Sequence, residues 1–336
     1  MRDVGAQAGV SAKTVSRVLR NDRYVTDEVR QRVLVAVSEL RYVPNSMAVT
    51  FRSGQDTAIG VAVPDIADPF FSAIIQAIER EARTRGTAVI VSSLGYEAHR
   101  EQEVVETLLK RQVQGLICCP VAPDQSYLRP WQKRAPMVFI DRSAQKLTAD
   151  SVVEDDRGGA FAMTMHLIGH GHRRIAFLGD GIHLRTTTLR LEGYTSALVA
   201  SDLEVDEELI YLEGTEGTGA LTALGRLSQL VHPPTALFSS NARITQRVVK
   251  FRNNAESPDV ALVSFGDFAM AEFLQPSLTV VDQNPHAIGR AAAERLFLRI
   301  ATPERRLKRR TMLPVTLVER QSCRLPATSA VRDSAG

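Results

Sequence analysis

The sequence predicts a small all-α head at the N-terminus, joined to a core of two α/β lobes with parallel sheets. Residues 3–44 contain three short segments whose apolar residues recur at the spacing of amphipathic helices. From residue 57 onward, short runs rich in Val and Ile alternate with longer helical segments, which is typical of parallel strands covered by helices on both faces. The roughly 260 residues that follow are too many for one such sheet. We therefore expect two lobes, separated near residues 151–160.

The helices of the head are delimited by cap and turn residues. Gly9 permits the positive φ of a tight turn between two helices, and Ser11 can cap the helix that follows. Thr26 can cap a third helix, which Pro44 ends. The inner faces of the second and third helices are expected to contain seven aliphatic residues: Val15, Val18, Leu19, Val29, Val33, Val37 and Leu40.

Short apolar runs define the strands expected in the core. They lie at residues 58–64, 87–93, 115–120, 136–141, 174–180, 208–214, 235–240 and 260–266. Helices are expected between them, among others over residues 70–85, 100–111 and 158–168. Because ligands of such folds bind at the carboxyl ends of the strands, we expect a ligand site in the cleft between the two lobes.

Charge and composition limit the classes of protein that fit. The net charge of +3 falls entirely on residues 1–56, which contain nine Lys or Arg and six Asp or Glu. A basic segment on a neutral body is typical of a nucleic-acid-binding module. The sequence has no run of eighteen apolar residues, so a membrane span is not expected. The N-terminus is polar and rich in small residues, unlike a secretory signal, which favours a cytoplasmic protein.

Two groups of residues invite a metal or catalytic interpretation that the sequence does not favour. Cys118 and Cys119 are adjacent in an apolar run and are interpreted as reduced thiols buried in a strand. His166, His170 and His172 bring two imidazoles to one helical face, but no acidic or cysteine ligand is near in sequence, so no metal site is predicted. No phosphate-binding loop, dinucleotide fingerprint or serine-nucleophile motif occurs, so we expect neither a cofactor nor an enzyme.

The outward face of the second helix has residue types that can read DNA. Lys13 and Arg17 are four residues apart and project side by side. An arginine on a helix in the major groove can hydrogen-bond to both acceptors of a guanine. The short hydroxyls of Ser11, Thr14 and Ser16 suit phosphates, which position a helix without reading sequence. The pattern by itself leaves open a small helical cap with a solvated basic face.

Long stretches of the chain resemble the lactose-repressor (LacI/GalR) family of bacterial transcription regulators. These stretches are DVGAQAGVSAKTVSRVLRN (3–21), YVTDEVRQRVLVAVSELRYVPNSMA (24–48) and IGVAVPDIADPFFSAIIQAIE (59–79). The resemblance continues through QGLICCP, HLIGHGHRRIAFLGD, RLEGY, PTALFSSN and PDVALVSFGDF, in the family's order and over nearly the whole chain. It implies a helix-turn-helix head, a hinge helix and a two-lobed core like the type I periplasmic sugar-binding proteins.

The resemblance also implies the boundaries of these parts. The helix-turn-helix domain is expected over residues 1–45, and the hinge helix with its linker over 46–56. The effector-binding and dimerisation core is expected over 57–325, followed by a disordered tail over 326–336. Within the core, the N-terminal lobe is expected over about 57–157 and 285–311, and the C-terminal lobe over about 158–284 and 312–325.

Members of this family are dimers that read a pseudo-palindromic operator in double-stranded DNA. Their base-contacting positions fall here on Ala12, Lys13 and Arg17. Their hinge helix folds on specific DNA and wedges an apolar side chain into the minor groove, where contacts with the bent duplex offset the partial unstacking. The wedge, usually Leu, falls here on Phe51. The hinge positions implied are Asn45, Ala48, Phe51 and Arg52.

The resemblance further implies a small-molecule effector between the lobes, expected to be a sugar or a sugar derivative. Aromatic rings suit the apolar face of a sugar. Arginine supplies a fixed fork of donors for hydroxyls or a carboxylate. The implied effector-binding residues are Asp65, Phe70, Phe71, Arg142, Arg190, Asn241 and Asp267.

Three departures from the family pattern bear on these expectations. The family's usual GFDD reads SFGD here, so its first Asp is replaced by Gly266. Asn241 is followed by Ala242, where the family usually has Asp or Asn. Both changes remove polar groups and predict either an effector other than the common hexoses or weaker binding. A Thr-Ile-like pair usually precedes Asp3, so a start at Met1 predicts a weaker cap on the first helix.

Two other classes of protein remain as alternatives to an effector-controlled homodimeric repressor. A solute-binding protein with a vestigial DNA-binding head is opposed by the intact VSAKTVSRVLR helix and by the lack of a signal sequence at the start of this chain. An enzyme that uses the cleft is opposed by the lack of a recognisable nucleophile, base or cofactor loop.

Overall fold

The computed structural model describes residues 1–19, 22, 24–40, 42, 58–212, 219–252 and 260–324. The chain divides into two compact units: residues 1–57, called the head below, and residues 58–336, called the core. The predicted hinge residues Asn45, Ala48, Phe51 and Arg52 lie outside the described residues. Among the helices of the described ranges, none is long and apolar enough to cross a bilayer.

The described part of the head contains three helices, α1 (Arg2–Ala8), α2 (Ala12–Leu19) and α3 (Asp27–Glu39). Helix α1 ends at Gly9, whose φ of 65° lies in the left-handed region that glycine adopts at little cost. Leu40, predicted to be buried, follows the last residue of α3 and is 42% exposed. Ala36 takes an inner position instead. The buried core of the head is formed by Val4, Ala8, Val15, Val18, Val33 and Ala36.

The described part of the core contains two six-stranded sheets, one in each lobe. The strands of the N-lobe are β1 (Ala58–Val63), β2 (Ala88–Ser93), β3 (Leu116–Cys118), β4 (Met137–Ile140), β5 (Asp150–Glu154) and β11 (Arg310–Leu313). Those of the C-lobe are β6 (Ile175–Leu178), β7 (Ile210–Tyr211), β8 (Ala236–Ser239), β9 (Ala261–Phe265), β10 (Thr279–Asp282) and β12 (Thr316–Val318).

All strands of the N-lobe sheet are parallel, in the order β11-β5-β4-β3-β1-β2. The C-lobe sheet has the order β12-β10-β9-β8-β6-β7, in which β12 runs antiparallel to β10 and the other neighbouring strands are parallel. The chain passes from one lobe to the other after β5, after β10 and after β11. The carboxyl ends of β5 and β10 therefore lie at crossings between the lobes.

Helices cover both faces of each sheet and bury the aliphatic side chains of its strands. In chain order they are α4 (Pro69–Arg83), α5 (Ala98–Lys110), α6 (Asp156–Gly169), α7 (Arg185–Ala200), α8 (Gly219–Ser228), α9 (Ala242–Arg252) and α10 (Pro285–Ala301). In the N-lobe, α4 and α10 pack on one face and α5 on the other. In the C-lobe, α6 and α7 pack on one face, and α8 and α9 on the other. This is the arrangement that buries parallel strands on both sides.

The predicted fold class, a helical head beside two α/β lobes with parallel sheets, is confirmed, and the differences lie at the edges. The apolar runs do not predict β5, β10, β11 or β12. Strand β11 pairs with β5 as far as Leu313, so the chain enters the C-lobe after that residue rather than near residue 311. Strand β7 is shorter than the predicted 208–214, because Glu207–Leu209 form a 3-10 turn capped by Asp206.

Candidate nucleic-acid interface and ligand cleft

The start of α2 is fixed by a hydroxyl cap. The Oγ of Ser11 accepts a hydrogen bond from the backbone N–H of Thr14 at 3.1 Å and lies 3.0 Å from the Thr14 hydroxyl. A side chain in this position satisfies an amide that the helix leaves unpaired. Both residues were predicted to contact phosphates. The structure gives them a structural role as well, at the end of the helix where the dipole favours an anion.

The exposed face of α2 contains the side chains predicted to reach bases. Val15 and Val18 are buried, whereas Lys13 and Arg17 are exposed and Ala12 and Ser16 are half-buried. Nε of Arg17 donates a hydrogen bond to Oδ2 of Asp22 at 3.1 Å, and the Arg17 side chain remains 51% exposed. An exposed ion pair of this kind contributes about 0–1 kcal/mol, so it can be exchanged for another acceptor at small cost.

The turn between α1 and α2 depends on two glycines. Gly9 adopts a positive φ, as the sequence predicts. Gly5 lies against the following turn, where a Cβ would come within 2.7 Å of the backbone oxygen of Val10. The amide of Val10 also donates to the carbonyl of Gly5 at 2.9 Å. The close approach of α1 to the turn therefore sets the direction in which α2 leaves it.

The cleft between the lobes of the core has an empty volume of about 560 Å³, part of it open to solvent. Six of the seven predicted effector residues line it: Phe70, Phe71, Arg142, Arg190, Asn241 and Asp267. Asp65 does not line the cleft, and its Oδ1 accepts the amide of Ala67 at 2.9 Å within the loop after β1. Asp68 lines the cleft in that region instead.

The N-lobe wall combines aromatic rings with a partly buried carboxylate. The Phe70 and Phe71 rings meet edge to face, with centroids 5.1 Å apart. Oδ1 of Asp68 caps α4 by accepting the amide of Phe70 at 2.9 Å. Burial raises the pKa of the Asp68 carboxyl, an effect that this hydrogen bond and the positive charge of Arg243 oppose. The wall offers an apolar surface with an acceptor at its edge.

A second N-lobe contribution comes from the end of β4. The guanidinium of Arg142 donates through Nη1 to the carbonyl of Pro120 at 2.9 Å. Its Nε lies 3.0 Å from Oδ2 of Asp141 but is not aligned for a hydrogen bond. Asp141 itself has a φ of 62°, a left-handed conformation that is uncommon outside glycine. Such conformations concentrate at functional sites.

Arg190 supplies fixed donors from the C-lobe. Its Nε donates to Oδ1 of Asp156 at 2.8 Å, and its Nη1 donates to the carbonyl of Ser240 at 2.6 Å. Nη2 is 2.7 Å from the same Asp156 oxygen, and the guanidinium lies over the Phe265 ring at 3.9 Å. A guanidinium has five N–H groups, so these contacts leave two for a ligand. The side chain is therefore rigid before any ligand binds.

Asp180 organises the opposite part of the C-lobe wall. It accepts hydrogen bonds from Nδ2 of Asn241 at 2.7 Å and from Nη2 of Arg243 at 2.9 Å. Oδ1 of Asn241 accepts the amide of Ile244 and so caps α9. The guanidinium of Arg243 also lies over the ring of Tyr96, 4.0 Å from its centroid. Because Tyr96 belongs to the N-lobe, this contact joins the two lobes across the cleft.

The altered SFGD segment has a physical basis in the backbone. Gly266 has a φ of 97°, and a Cβ there would lie 3.0 Å from Oε1 of Gln283. The following residue, Asp267, is held by Arg320 through contacts of 2.7 and 3.2 Å. Its carboxylate is thus largely committed within the C-lobe. The carboxylate that the family pattern places at this position is absent, and a side chain there would lie close to the Gln283 side chain.

A buried acidic group lies where the chain crosses between the lobes. Glu154 ends β5, and its Oε1 accepts a hydrogen bond from Nε2 of Gln283, which follows β10, at 2.9 Å. Burial, together with the negative charges of Asp141 and Asp156, raises the pKa of Glu154 well above its ordinary value. The pKa of Asp156 is also raised by burial, although Arg190 opposes the shift. The hydrogen bond between Glu154 and Gln283 therefore ties together two of the three segments that cross between the lobes.

Sequence reasoning does not identify several side chains that line the cleft, among them Tyr96, Asp180, Arg243 and Gln283. Asp180 ends the predicted strand 174–180, so the preference of ligands for the carboxyl ends of strands is a signal that could have found it. Tyr96 and Gln283 lie in loops beyond strands, and they reach the cleft only because the sheets bring distant segments together.

Two family profiles match parts of this chain. Residues 1–45 match the bacterial regulatory proteins of the lacI family, and residues 164–323 match a periplasmic binding protein-like domain. The ribose operon repressor of Escherichia coli (strain K12) is 29% identical over 329 residues, covering 96% of this chain and 99% of the relative.

Two solved structures extend the comparison to three dimensions. The Lac repressor dimer bound to operator and the anti-inducer ONPF superposes with a TM-score of 0.79 at 26% identity, covering 96% of this chain and 98% of that one. A LacI-family transcriptional regulator from Enterococcus faecium with bound ribose superposes with a TM-score of 0.72 at 25% identity, covering 80% of this chain and 100% of that one. The described head and core thus have counterparts of similar sequence and shape.

Proposed function

Because this chain belongs to the LacI family of bacterial regulatory proteins, we propose that it represses transcription as a homodimer on a pseudo-palindromic operator, under the control of a sugar in its cleft. Its relatives are DNA-binding transcriptional repressors, and the chain is a regulator of this kind rather than an enzyme. The observation that carries the operator proposal is the exposed face of α2, where Lys13 and Arg17 project from a helix with a fixed start.

In the proposed complex, each copy of α2 enters the major groove of one half-site. Arg17 exchanges Asp22 for a guanine edge, Lys13 contacts the neighbouring base, and Ala12 offers a methyl group. Ser11, Thr14 and Ser16 lie along the same helix, within reach of phosphates. The two-fold symmetry of a dimer matches a pseudo-palindrome, and the Lac repressor relative was solved as a dimer on operator DNA. We assign the minor-groove contact to the hinge residues Asn45, Ala48, Phe51 and Arg52.

The lining of the cleft supports a carbohydrate effector. Aromatic edges at Phe70 and Phe71 can pack on the apolar face of a sugar ring, and Arg190 offers two N–H groups held in place by its other contacts. The carboxylate of Asp68, on the N-lobe wall, is an acceptor for hydroxyls. The Enterococcus faecium relative contains ribose. A pentose or its derivative is therefore the first class of ligand to test.

The effector would act by shifting the lobes between two arrangements. It can do so only through its different affinities for them, since a ligand that binds both equally shifts nothing. The Tyr96–Arg243 contact and the Glu154–Gln283 hydrogen bond are the contacts that such a shift would change. Because the DNA it regulates is in the cytoplasm, we place the protein there.

Operator reading can be tested without knowing the operator. Full-length protein selects duplexes from a library of inverted repeats, and the best duplex is compared with a scrambled version by mobility shift at moderate salt. We expect the selected duplex to bind at least about a thousandfold more tightly, as specific sites do. Equal affinity for both duplexes would contradict the proposal that the protein reads a specific operator.

The effector is tested by thermal shift against a panel of pentoses, hexoses and their phosphates. We expect at least one sugar to raise the melting temperature and to change the affinity for the selected duplex. A sugar that binds a chain unable to select any duplex would favour the solute-binding alternative. If the protein selects a duplex but responds to no member of the panel, the operator proposal stands and the proposal of a sugar effector is wrong.

A further inference from the structure

Four potential metal ligands meet on the C-lobe, away from the cleft. His166 and His170 lie one turn apart on α6, with their rings edge to face and their centroids 4.6 Å apart. The segment after β12 brings Glu319 and Cys323 to them. The sequence has no pattern that predicts this group of four ligands, because about 150 residues separate the two histidines from Glu319 and Cys323.

The distances within this group are those of a coordination sphere. Sγ of Cys323 lies 3.4 Å from Nε2 of His166 and 3.5 Å from Nε2 of His170. Nε2 of His170 lies 3.6 Å from Oε1 of Glu319, and all four ligand atoms lie within 4.8 Å of one another. A tetrahedral Zn²⁺ with ordinary bond lengths separates its nitrogen and sulfur ligands by about 3.5 Å, and its nitrogen and oxygen ligands by about 3.4 Å.

The surroundings suit a bound cation. Cys323 is fully buried, whereas His170 is 29% exposed and Glu319 is 54% exposed, so the site opens to solvent on one side. A third histidine, His172, accepts or donates at Thr235 and lies 3.1 Å from the carbonyl of Cys323, which fixes the backbone of that ligand.

We propose that His166, His170, Glu319 and Cys323 bind one Zn²⁺ that ties α6 to the segment after β12. Two neutral imidazoles, one carboxylate and one thiolate coordinate the ion. The thiol proton of Cys323 passes to solvent as the Zn–S bond forms, so no oxidant or reductant is needed. Such a site closes with four protein ligands, which is typical of structural zinc. The ion would stabilise the C-lobe without taking part in the cleft.

The competing explanation of the same contacts is a network of thiol and imidazole hydrogen bonds that holds no metal. Full-length protein is stripped with a chelator, dialysed and titrated with Zn²⁺ by calorimetry. We expect one Zn²⁺ per chain and a melting temperature that rises by several degrees on saturation. With Co²⁺ in place of Zn²⁺, we expect the absorption of a tetrahedral site with a thiolate-to-metal charge-transfer band.

Substitutions test which side chains bind the Zn²⁺. Cys323→Ser should abolish the charge-transfer band, and His170→Ala should weaken Zn²⁺ binding at least about a hundredfold. If Cys323→Ser does not fold, Glu319→Gln tests the exposed side of the site with little risk to the core. His99→Ala, which removes a 78%-exposed histidine from α5, is the control and should bind like the parent chain. The absence of stoichiometric Zn²⁺ binding, or binding unchanged in both His170→Ala and the cysteine or glutamate variant, would overturn the site.

Discussion

At the scale of single residues, Arg17 shows how a weak contact can be exchanged for a specific one. Its ion pair with Asp22 is exposed and contributes little to stability. We expect Arg17→Ala to weaken binding to the selected duplex by about 1–3 kcal/mol and to relax the preference at one base pair. Duplex selection with the variant, combined with mobility shift, measures both effects.

The control for this prediction is Arg32→Ala, which removes an exposed positive charge from α3 in the same head. That change should lower affinity for all duplexes by a similar, smaller factor and leave the selected sequence unchanged. If Arg17→Ala behaved in the same way, Arg17 would contact phosphates and not a base.

The buried carboxyl of Glu154 leads us to predict how the stability of the protein depends on pH. An unfolded glutamate titrates near a pKa of about 4.3. In the folded protein, burial and the negative charges of Asp141 and Asp156 raise the pKa of Glu154 well above that value. Between the two values the folded state holds a proton that the unfolded state has lost, so the free energy of unfolding falls as pH rises. Glu154→Gln cannot ionise and keeps the acceptor for Gln283.

We therefore expect the free energy of unfolding of Glu154→Gln to fall less with rising pH than that of the parent. The variant should be more stable than the parent by at least about 1 kcal/mol at pH 8 but not at pH 4. Urea unfolding at both pH values measures the difference. Glu101→Gln is the matched control, because Glu101 is buried but accepts the backbone amides of Val121 and Ala122. That variant should be less stable than the parent at both pH values. A parallel shift of Glu154→Gln at both pH values would contradict the titration.

At the scale of secondary-structure elements, the packing of α1 against the turn before α2 depends on the missing side chain of Gly5. A Cβ there would lie 2.7 Å from the carbonyl oxygen of Val10, which is backbone and cannot rotate away. We expect Gly5→Ala to destabilise the head by about 1–3 kcal/mol and to reduce operator binding, while sugar binding to the core is unchanged. Mobility shift and thermal shift on the same preparation separate the two effects.

Gly225→Ala provides the comparison. Gly225 is within α8, and a Cβ there meets no atom within 4 Å. Alanine at that site should be neutral or stabilising by up to about 1 kcal/mol, because it lowers the entropy of the unfolded chain and favours the helix. Equal effects of the two substitutions would show that the close approach at Gly5 does not constrain the turn.

Elements with their own apolar pattern could be predicted, and elements that depend on a partner could not. The strand AIGVAV (β1) is a continuous apolar run, and burial on both faces explains it. Strand β11 (RTML) and strand β12 (TLV) are short and partly exposed, and they are strands because β5 and β10 supply their hydrogen bonds. Leu40 shows the same limit in the head, since the helical spacing continues past the residue where α3 ends.

At the scale of the whole molecule, the cleft could be predicted as a location, but its chemistry was predicted only in part. Phe70, Arg142 and Arg190 were found because strand ends and the family pattern identify them. The pairing of Asp267 with Arg320 could not be foreseen, because 53 residues separate the partners and either one alone resembles a solvated charge. The same holds for the Tyr96–Arg243 contact, which exists only when both lobes are in place.

The Tyr96–Arg243 contact leads us to predict how the two lobes respond to a ligand. The guanidinium of Arg243 is held by Asp180 in the C-lobe and lies over the Tyr96 ring of the N-lobe. A cation–π contact of this kind stabilises the observed arrangement of the lobes by about 0.5–2 kcal/mol. Tyr96→Leu removes the π face, so the balance between lobe arrangements should shift and sugar affinity should change by about 2- to 30-fold.

Tyr96→Phe is the matched control, because it keeps the ring and removes only the hydroxyl. Its sugar affinity should stay within about twofold of the parent, because the π face that contacts Arg243 is kept. Linkage requires that the factor by which sugar changes operator affinity equals the factor by which operator changes sugar affinity, in the parent and in each variant. Calorimetry with sugar, with and without the selected duplex, measures both factors. If Tyr96→Leu left sugar affinity and the coupling factor unchanged, this contact would not contribute to the balance between the lobes.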